Sequence, residues 1–470
     1  MSPPESETER DPLAARALAL AVLLRVARDR AYADVALNAA LAAAALDARD
    51  RALATRLVYG TIAWQGLLDW HLARLTGRAP AKLDLAVLVV ARLGLYQLLQ
   101  LDRIPAHAAV STTVDLAKRA APSAAGLVNA VLRRAARERA RLPLPDPADP
   151  VRHLAVAFSH PEWLVARWIA ALGVDETRLL LAADNEVAPT MLRARPGERD
   201  RLIADLVAQG ITAAPGRWAP DAVRVEAVAP HALPGYAAGT FTVQSEASQL
   251  VARLLDPPPN ARVLDVCAAP GGKSTYAAEL VGSRGLVVAF DRRRRGAAAI
   301  VAAARRLHLP WLIVGITDAC RLPLAAHETF DRVLVDAPCS GLGTLRAHPE
   351  LRWSRDLDDI RRLAALQAEI LDAATGHVAP GGVLVYATCT ISADENEAVV
   401  DAWLAAHPEL ARENAAAYLA PAAATLVDAS GALRTLPHRH GLDGFYAVRV
   451  RRKPDRRGDG LLARPPRGFV

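Results

Sequence analysis

The sequence predicts a multidomain chain: an all-α N-terminal domain, a small α/β linking domain, and a C-terminal α/β domain built on a largely parallel sheet. Three observations carry this expectation. From about 10 to 140, apolar positions recur at helical spacing with no sustained strand alternation. The proline-rich run Leu142-Pro-Leu-Pro-Asp-Pro-Ala-Asp-Pro150 then breaks the pattern. Beyond about 240, short apolar strand patterns alternate with helical ones and lack strict polar alternation, the mark of a sheet covered on both faces. At 470 residues the chain also exceeds one cohesive core.

In chain order, the spacing predicts helices over about 12–28, 32–45, 48–68, 82–100, 106–119 and 124–140, which make a helical domain of residues 1–145. Helical signals at 151–183 lead into a strand at Thr190-Met-Leu-Arg-Ala-Arg195, a helix at 197–209, and strand-like pieces near 211 and 222–227. These form a small α/β module, 146–238, placed either to steer a nucleic acid toward an active site or to brace the next domain. A helix from Ser245 to Leu255 precedes a break at Pro257-Pro-Pro259. Strands follow at 262–267, 286–290, 311–316, 331–336, 383–387 and 444–450, giving a domain of residues 239–453; residues 454–470 read as a basic, flexible tail.

Hydrophobic residues make up 52% of the chain and aromatics only 5%, so alanine and leucine supply much of the packing. No apolar stretch approaches the roughly 20 residues that cross a bilayer; the longest candidate is interrupted by Asp84 and Arg92. The N-terminus is acidic and polar, unlike a secretion signal. Four unclustered cysteines do not suggest a disulfide scaffold. The expected location is the cytoplasm.

The formal charge is +7 and the sequence pI about 9.5, which permits a polyanionic partner. Arginines gather in three places: Arg133, Arg134, Arg137, Arg139 and Arg141; Arg292 to Arg295; and Arg449, Arg451, Arg452, Arg456 and Arg457 with Lys453. Such patches beside a catalytic domain point to nucleic acid. Of the 57 basic residues only Lys82, Lys118, Lys273 and Lys453 are lysines. A lysine in so arginine-biased a chain marks a place a guanidinium does not fit, and Lys273 lies beside the first strand of the sheet.

The segment Val263-Leu-Asp-Val-Cys-Ala-Ala-Pro-Gly-Gly-Lys-Ser274 sets a small-residue turn between strand and helix, at the end of the sheet where open α/β folds bind ligands. It is not Gly-x-Gly-x-x-Gly, and Cys267 stands where a P-loop has its first glycine. A phosphate loop and a purely structural turn remain as alternatives. Asp291 ends the next strand, where a carboxylate can accept from both ribose hydroxyls. Asp318 follows the third strand and can hold an adenine amino group or a neighbouring amide. With Asp265 these outline a nucleoside pocket without a pyrophosphate site, a description that S-adenosylmethionine fits.

Cys339 in Asp336-Ala-Pro-Cys-Ser-Gly341 and Cys389 in Tyr386-Ala-Thr-Cys-Thr390 each lie just beyond a strand pattern. Carbon 5 of cytosine attacks a methyl donor poorly while the ring is aromatic; thiolate addition at carbon 6 creates an enamine that attacks well. A base must then remove the carbon-5 proton before the thiol leaves. That chemistry has separate work for two sulfurs, with Asp336 placed to hydrogen-bond protonated N3 and Pro338 restricting the loop backbone. A redox pair stays open as an alternative. Cys267 and Cys320 read as small buried hydrophobes. No metal is expected, since there is no Cys-x-x-Cys pair and His308, His327, His348 and His377 form no compact group.

At these residues the chain resembles the Sun/NOL/NOP family of RNA 5-methylcytosine methyltransferases, especially the bacterial 16S ribosomal RNA methyltransferase B group. The resemblance runs through Phe241-Thr-Val-Gln-Ser-Glu-Ala-Ser248, the glycine-lysine loop, both cysteine motifs and His348-Pro-Glu-Leu-Arg-Trp353. It implies a Rossmann-like methyltransferase domain in which Cys389 is the covalent nucleophile and Cys339 assists breakdown of the adduct. It assigns cofactor contacts to Cys267, Ala268, Ala269, Pro270, Gly271, Gly272 and Lys273, and to Asp291, Asp318 and Asp336, with S-adenosylmethionine as cofactor. It implies that the N-terminal helices, including Leu127-Val-Asn-Ala-Val-Leu-Arg-Arg134, form a NusB-like RNA-binding domain. The implied substrate is structured RNA, namely 16S ribosomal RNA, with no obligate protein partner. A transfer-RNA cytosine methyltransferase and a noncatalytic RNA-binding assembly factor are the alternatives. Two positions depart from the family: Ser245 replaces the usual aspartate before Glu246, and Arg293 stands where another acid is frequent.

Overall fold

The computed structural model describes residues 11–29, 31–226 and 229–454. The acidic N-terminus and the predicted basic tail beyond Pro454, with Arg456 and Arg457, lie outside the described residues. The described residues pack as two compact units, one drawn from those up to 188 with 344–355 and one from those of 189–343 with 356–454.

The first unit is helical: α1 Ala14–Asp29, α2 Ala33–Ala43, α3 Ala48–Ala63, α4 Gln65–Thr76, α5 Leu85–Gln100, α6 Ala106–Ala120, α7 Ala125–Glu138, α8 Pro150–Ala157, α9 Glu162–Leu172 and α10 Val174–Ala183. Helix α5 is the pillar. Asp84 caps it by accepting from the Ala86 amide at 2.9 Å. Its run from Val87 to Leu98 is buried almost all round, as a central helix must be. Inside this core Gln97 accepts from Arg16 Nε at 2.8 Å and donates to Thr113 Oγ1 at 3.3 Å, so the buried amide is satisfied.

One predicted helix divides. The spacing over 48–68 suggested continuity, but the backbone breaks at Trp64, between α3 and α4. The break is filled by the 344–355 stretch. Trp353 Nε1 donates to the Ile62 carbonyl at 2.9 Å and Arg352 to the Ala63 carbonyl at 3.3 Å, while Ser159 Oγ accepts from the Gly66 amide at 2.8 Å. Arg352 is wholly buried and donates also to the Ser159 carbonyl, to Asn185 Oδ1 and to the Asp184 carbonyl. Burial pushes its pKa down to about 10. The Arg-Trp end of the motif at 348–353 is thus a clasp for this helical unit.

The second unit contains two sheets. Strands β1 Thr190–Ala194, β2 Ala213–Pro215, β3 Ala222–Val225 and β4 Phe241–Val243 form an antiparallel sheet in the order β2-β3-β1-β4, with α11 Arg199–Val207 beside it. Helix α12, Glu246–Leu255, begins at Ser245, whose side chain caps the Ser248 amide. The larger sheet comprises β5 Arg262–Asp265, β6 Leu286–Asp291, β7 Leu312–Ile316, β8 Phe330–Asp336, β9 Val378–Thr388, β10 Leu410–Glu413, β11 Leu433–Arg434 and β12 Tyr446–Arg452. Its order is β10-β12-β9-β8-β5-β6-β7 with β11 against β12. The five strands from β9 to β7 are parallel, and β12 enters antiparallel to β9. Helices α13 Gly272–Val281 and α14 Arg294–Arg306 follow β5 and β6. Separate apolar clusters around Val263, Leu334 and Val385 and around Leu264, Val335 and Tyr386 show that alternate residues of each strand face different cores.

The described members of the third arginine patch are tied into the fold. Arg449 is buried and donates to Glu413 and to the Leu254 and Leu255 carbonyls; Arg451 binds Glu413 and the Gly381 carbonyl; Arg452 binds the Val378 carbonyl; Lys453 binds the Pro408 carbonyl. These cations satisfy strand and helix ends. The Arg292–Arg295 quartet, by contrast, is exposed at the start of α14.

Replacing Arg352 by Met should leave its carbonyl acceptors buried and unpaired and lower the stability of the protein by roughly 2–4 kcal/mol. Urea denaturation followed by circular dichroism measures this, and Arg352→Lys should recover little of the loss because an ammonium cannot span the same acceptors.

Candidate active site

Strand β5 is flanked by β6 on one side and β8 on the other, so the chain reverses its direction of winding beside β5. Open α/β sheets hold their ligands outside the carboxyl ends of the strands at such a point. Asp265, Asp291, Asp336 and Thr388 end β5, β6, β8 and β9. Every residue picked out from the sequence for the site stands at or just after one of these ends or, for Asp318, after the end of β7.

The loop after β5 is built on backbone bonds. The Ala268 amide donates to the Phe290 carbonyl at 2.8 Å and the Gly271 amide to the Ala268 carbonyl at 2.7 Å, with a cis bond between Ala269 and Pro270. Gly271 sits at φ +103°, a conformation side chains resist, and a Cβ there would stand 3.2 Å from the Ile300 backbone. Arg193, buried on β1, clamps the loop's far end: it donates to the Gly272 carbonyl at 2.6 Å, to Gln244 Oε1 at 2.5 Å, to Thr275 Oγ1 at 3.2 Å and to Glu279 at 3.1 Å. The strand predicted at 190–195 therefore braces the start of α13.

Asp291 accepts from the Ala269 amide at 3.2 Å on one oxygen and from the Arg293 amide at 2.7 Å on the other, leaving a lone pair on each. Asp318 is about half exposed; it accepts from the Cys320 amide at 3.1 Å, a bond that lowers its carboxyl pKa, and lies 4.0 Å from Arg292. Arg293 contributes its amide to Asp291, while Arg292 faces the Asp318 carboxylate. Lys273 is largely buried and reaches Asp336 at 2.6 Å, with the Phe445 ring 5.3 Å from its nitrogen. Glycines that admit close approach, two strand-end carboxylates with free lone pairs, and a cation already engaged by Asp336 fit a nucleoside carrying an amino-acid tail better than a polyphosphate.

Asp265 is fully buried and accepts from Ser274 Oγ at 2.6 Å. Burial outweighs that bond and raises its pKa to about 7. Burial and the neighbouring Asp265, Asp336 and Asp291 also hold the Cys267 thiol well above its usual range, and burial with Asp318 lifts Cys320 to about 11. Both stay thiols at neutral pH, in keeping with a packing role.

The other two cysteines meet. Cys339 Sγ and Cys389 Sγ are 3.3 Å apart, and neither is in a disulfide. The hydrogen bond to Cys389, with burial, pushes Cys339 well above the ordinary thiol range. The backbone around them is tight: Gly343 donates to the Cys389 carbonyl at 3.0 Å, and its own carbonyl accepts from Gly444 at 2.6 Å. A Cβ on Gly343 would collide with that Gly444 carbonyl.

Sequence reasoning missed what holds the thiols. Ser340, Gln367, Thr388, Thr390, Glu395 and Asn396 are buried. Glu395 accepts from the Ser340 amide at 2.8 Å, from Ser340 Oγ at 2.5 Å and from Gln367 at 3.1 Å. Asn396 accepts from Thr388 Oγ1 at 2.6 Å and donates to the Thr390 carbonyl at 3.0 Å. The available signal was the polar run Asp394-Glu-Asn-Glu397 just after the second cysteine motif.

Elsewhere, the carboxylates of Asp34 and Glu350 and the imidazole of His348 come together in the first unit, where Glu350 accepts from the Ala33 amide at 3.3 Å. Among the described residues no helix is long and apolar enough to cross a membrane.

Three family models match the chain: the NusB family over residues 13–137, the ferredoxin-like domain of RsmF/B-like methyltransferases over 160–231, and 16S rRNA methyltransferase RsmB/F over 252–451. The chain is 37% identical over 450 residues to the probable ribosomal RNA small subunit methyltransferase B of Bacillus subtilis, covering 93% of this chain and 98% of that one. It is likewise 37% identical over 440 residues to the ribosomal RNA small subunit methyltransferase B of Pseudomonas putida, covering 91% and 98%. Among solved structures, PH0851 superposes with a TM-score of 0.78 at 26% identity over 95% of this chain and 100% of its own. NSun6 from Pyrococcus horikoshii shares the fold at 21% identity, with a TM-score of 0.55 over 63% of this chain and 99% of its own.

The raised pKa of Asp265 carries a sign that can be checked. Between about 4 and about 7 the folded chain keeps this proton while the unfolded chain loses it, so the group's contribution to stability falls as pH rises through that window and is flat above it. Asp265→Asn, which can still accept from Ser274, should gain stability relative to the parent between pH 5 and pH 8. Urea denaturation at the two pH values reads the difference.

Proposed function

The chain belongs to the RsmB/F family of 16S rRNA methyltransferases, and on that premise we propose that it methylates carbon 5 of a specific cytosine in 16S ribosomal RNA through a covalent adduct with Cys389. The observation that carries the reading is the 3.3 Å separation of the Cys389 and Cys339 sulfurs. S-adenosylmethionine, when bound, supplies an electrophilic methyl group on its sulfonium. Its contacts in this reading are the loop Cys267–Lys273, Asp291, Asp318 and Asp336. A substrate in the small ribosomal subunit places the work in the cytoplasm.

Cys389 adds to carbon 6 and turns carbon 5 into a nucleophile. Asp336, oriented by Lys273, hydrogen-bonds to protonated N3 as the adduct forms. Before attack Cys339 is a neutral thiol donating to Cys389, which favours negative charge on the attacking sulfur. Once Cys389 is bonded to carbon, the largest influence holding Cys339 protonated is gone. After carbon 5 has taken the methyl group, Cys339 serves as the base that removes the carbon-5 proton; that electron pair re-forms the ring double bond, Cys389 departs as a thiolate, and N3 gives back its proton. The target base must leave its stack to reach this pocket, while the helical domain and exposed arginines hold backbone phosphates.

Cys389→Ser should lower 5-methylcytosine formation on purified RNA by at least ~10³-fold, and a normal rate would exclude Cys389 as the nucleophile. Cys339→Ser should accumulate a protein–RNA adduct that survives denaturing electrophoresis. Mapping 5-methylcytosine across total RNA after gene deletion and after adding back purified protein tests the substrate. A restored site in transfer RNA instead of 16S ribosomal RNA overturns that part of the reading.

A further inference from the structure

Each cysteine is flanked by backbone that a different buried side chain holds. Around Cys339, the preceding Pro338 carbonyl accepts from Gln367 Nε2 at 2.9 Å, and the same nitrogen donates to Glu395 at 3.1 Å. The following residue, Ser340, gives both its amide and its hydroxyl to the two oxygens of Glu395. Around Cys389, Thr388 donates its hydroxyl to Asn396, and Asn396 donates to the Thr390 carbonyl. Glu395 and Asn396 are neighbours in sequence, yet one grips the first cysteine loop and the other grips the second. The loops meet through the hydroxyls of Ser340 and Thr390, 2.9 Å apart and each one residue past a cysteine.

We propose that Glu395 and Asn396 are positioning residues with divided roles, Glu395 setting Cys339 for release of the product and Asn396 setting Cys389 for attack. The proposal rests on the two-thiol reading above. Neither side chain touches the reacting base; each acts through a cysteine loop. Small displacements of a reacting group cost on the order of 10²-fold, so altering one grip should slow one half of the reaction and spare the other. Electrostatics adds a second difference. The groups that bear on Cys339 are Cys389, Glu395 and Tyr386, and the Glu395 charge is one that raises its thiol pKa. Removing that charge lowers the pKa of the releasing group.

The test compares Glu395→Gln and Asn396→Asp in the full-length protein, with Cys339→Ser and Cys389→Ser as references, on purified RNA and S-adenosylmethionine. Single-turnover methyl transfer is read separately from the fraction of protein trapped as RNA adduct, and thermal melting checks that each variant folds. Glu395→Gln should transfer methyl within about threefold of the parent, accumulate more adduct than the parent but less than Cys339→Ser, and shift the pH profile of its slowed release to lower pH. Asn396→Asp should slow methyl transfer at least tenfold and accumulate no adduct. If both variants slow both steps equally, or if Glu395→Gln releases product with an unshifted pH profile, the divided roles are wrong. Should a variant melt early, Glu395→Ala and Asn396→Ser replace it, and the same partition between steps decides. Full activity of Cys389→Ser would instead overturn the two-thiol reading itself, an outcome the reference variants separate from failure of this proposal.

Discussion

The hydrogen bond between Ser340 and Thr390 ties the ends of two parallel strands together, and the geometry of the thiols depends on it. Strands β8 and β9 run side by side, but the sheet ladder stops where the loops begin, so nothing in the ladder fixes the sulfurs. Buried side chains, together with the backbone bond from Gly343 to the Cys389 carbonyl, take over that task. Glu395, Gln367 and Asn396 satisfy the amides and carbonyls that leave the ladder, in an interior where an unmet polar group is costly. The result is two thiols 3.3 Å apart on loops with little freedom to part.

The same burial sorts the four cysteines and the carboxylates. Cys267 and Cys320 are kept protonated by desolvation and adjacent carboxylates, whereas Cys339 is kept protonated chiefly by its bond to Cys389. In the proposed mechanism the first two influences persist throughout, whereas the third ends as soon as Cys389 bonds to the base. Asp336 is likewise distinguished from Asp265 by surroundings: one is paired with Lys273, the other is enclosed with Ser274.

In the helical unit, a stretch from far along the sequence completes a break between α3 and α4. Carbonyls freed at Ile62 and Ala63 are taken by Trp353 and Arg352. Periodicity could not show this, because residues on both sides of Trp64 keep helical spacing and only the distant partner makes the interruption tolerable. The arginines of β12 carry a related lesson. A run of cations in sequence says nothing about depth: Arg449 lies in the part of β12 that is buried on both faces, while Arg451, two residues on and on the same side, is only partly buried.

Local pattern alone determined the helical first part, the five parallel strands β5 to β9 with β12, and the two cysteine motifs at strand ends, since each rests on periodicity or on turn residues within a short window, whereas the short strands β4, β10 and β11 carry too few residues to show a period. The acidic strand ends were equally legible, because a carboxylate just past an apolar strand is conspicuous. Tertiary structure alone decided that Cys339 and Cys389 touch, that Lys273 pairs with Asp336, that Arg193 braces the glycine loop, and that Glu395 and Asn396 hold the thiols. Each of those joins residues from separate elements, and burial gives each its energy. Burial is a property of the packed chain, absent from any window of sequence.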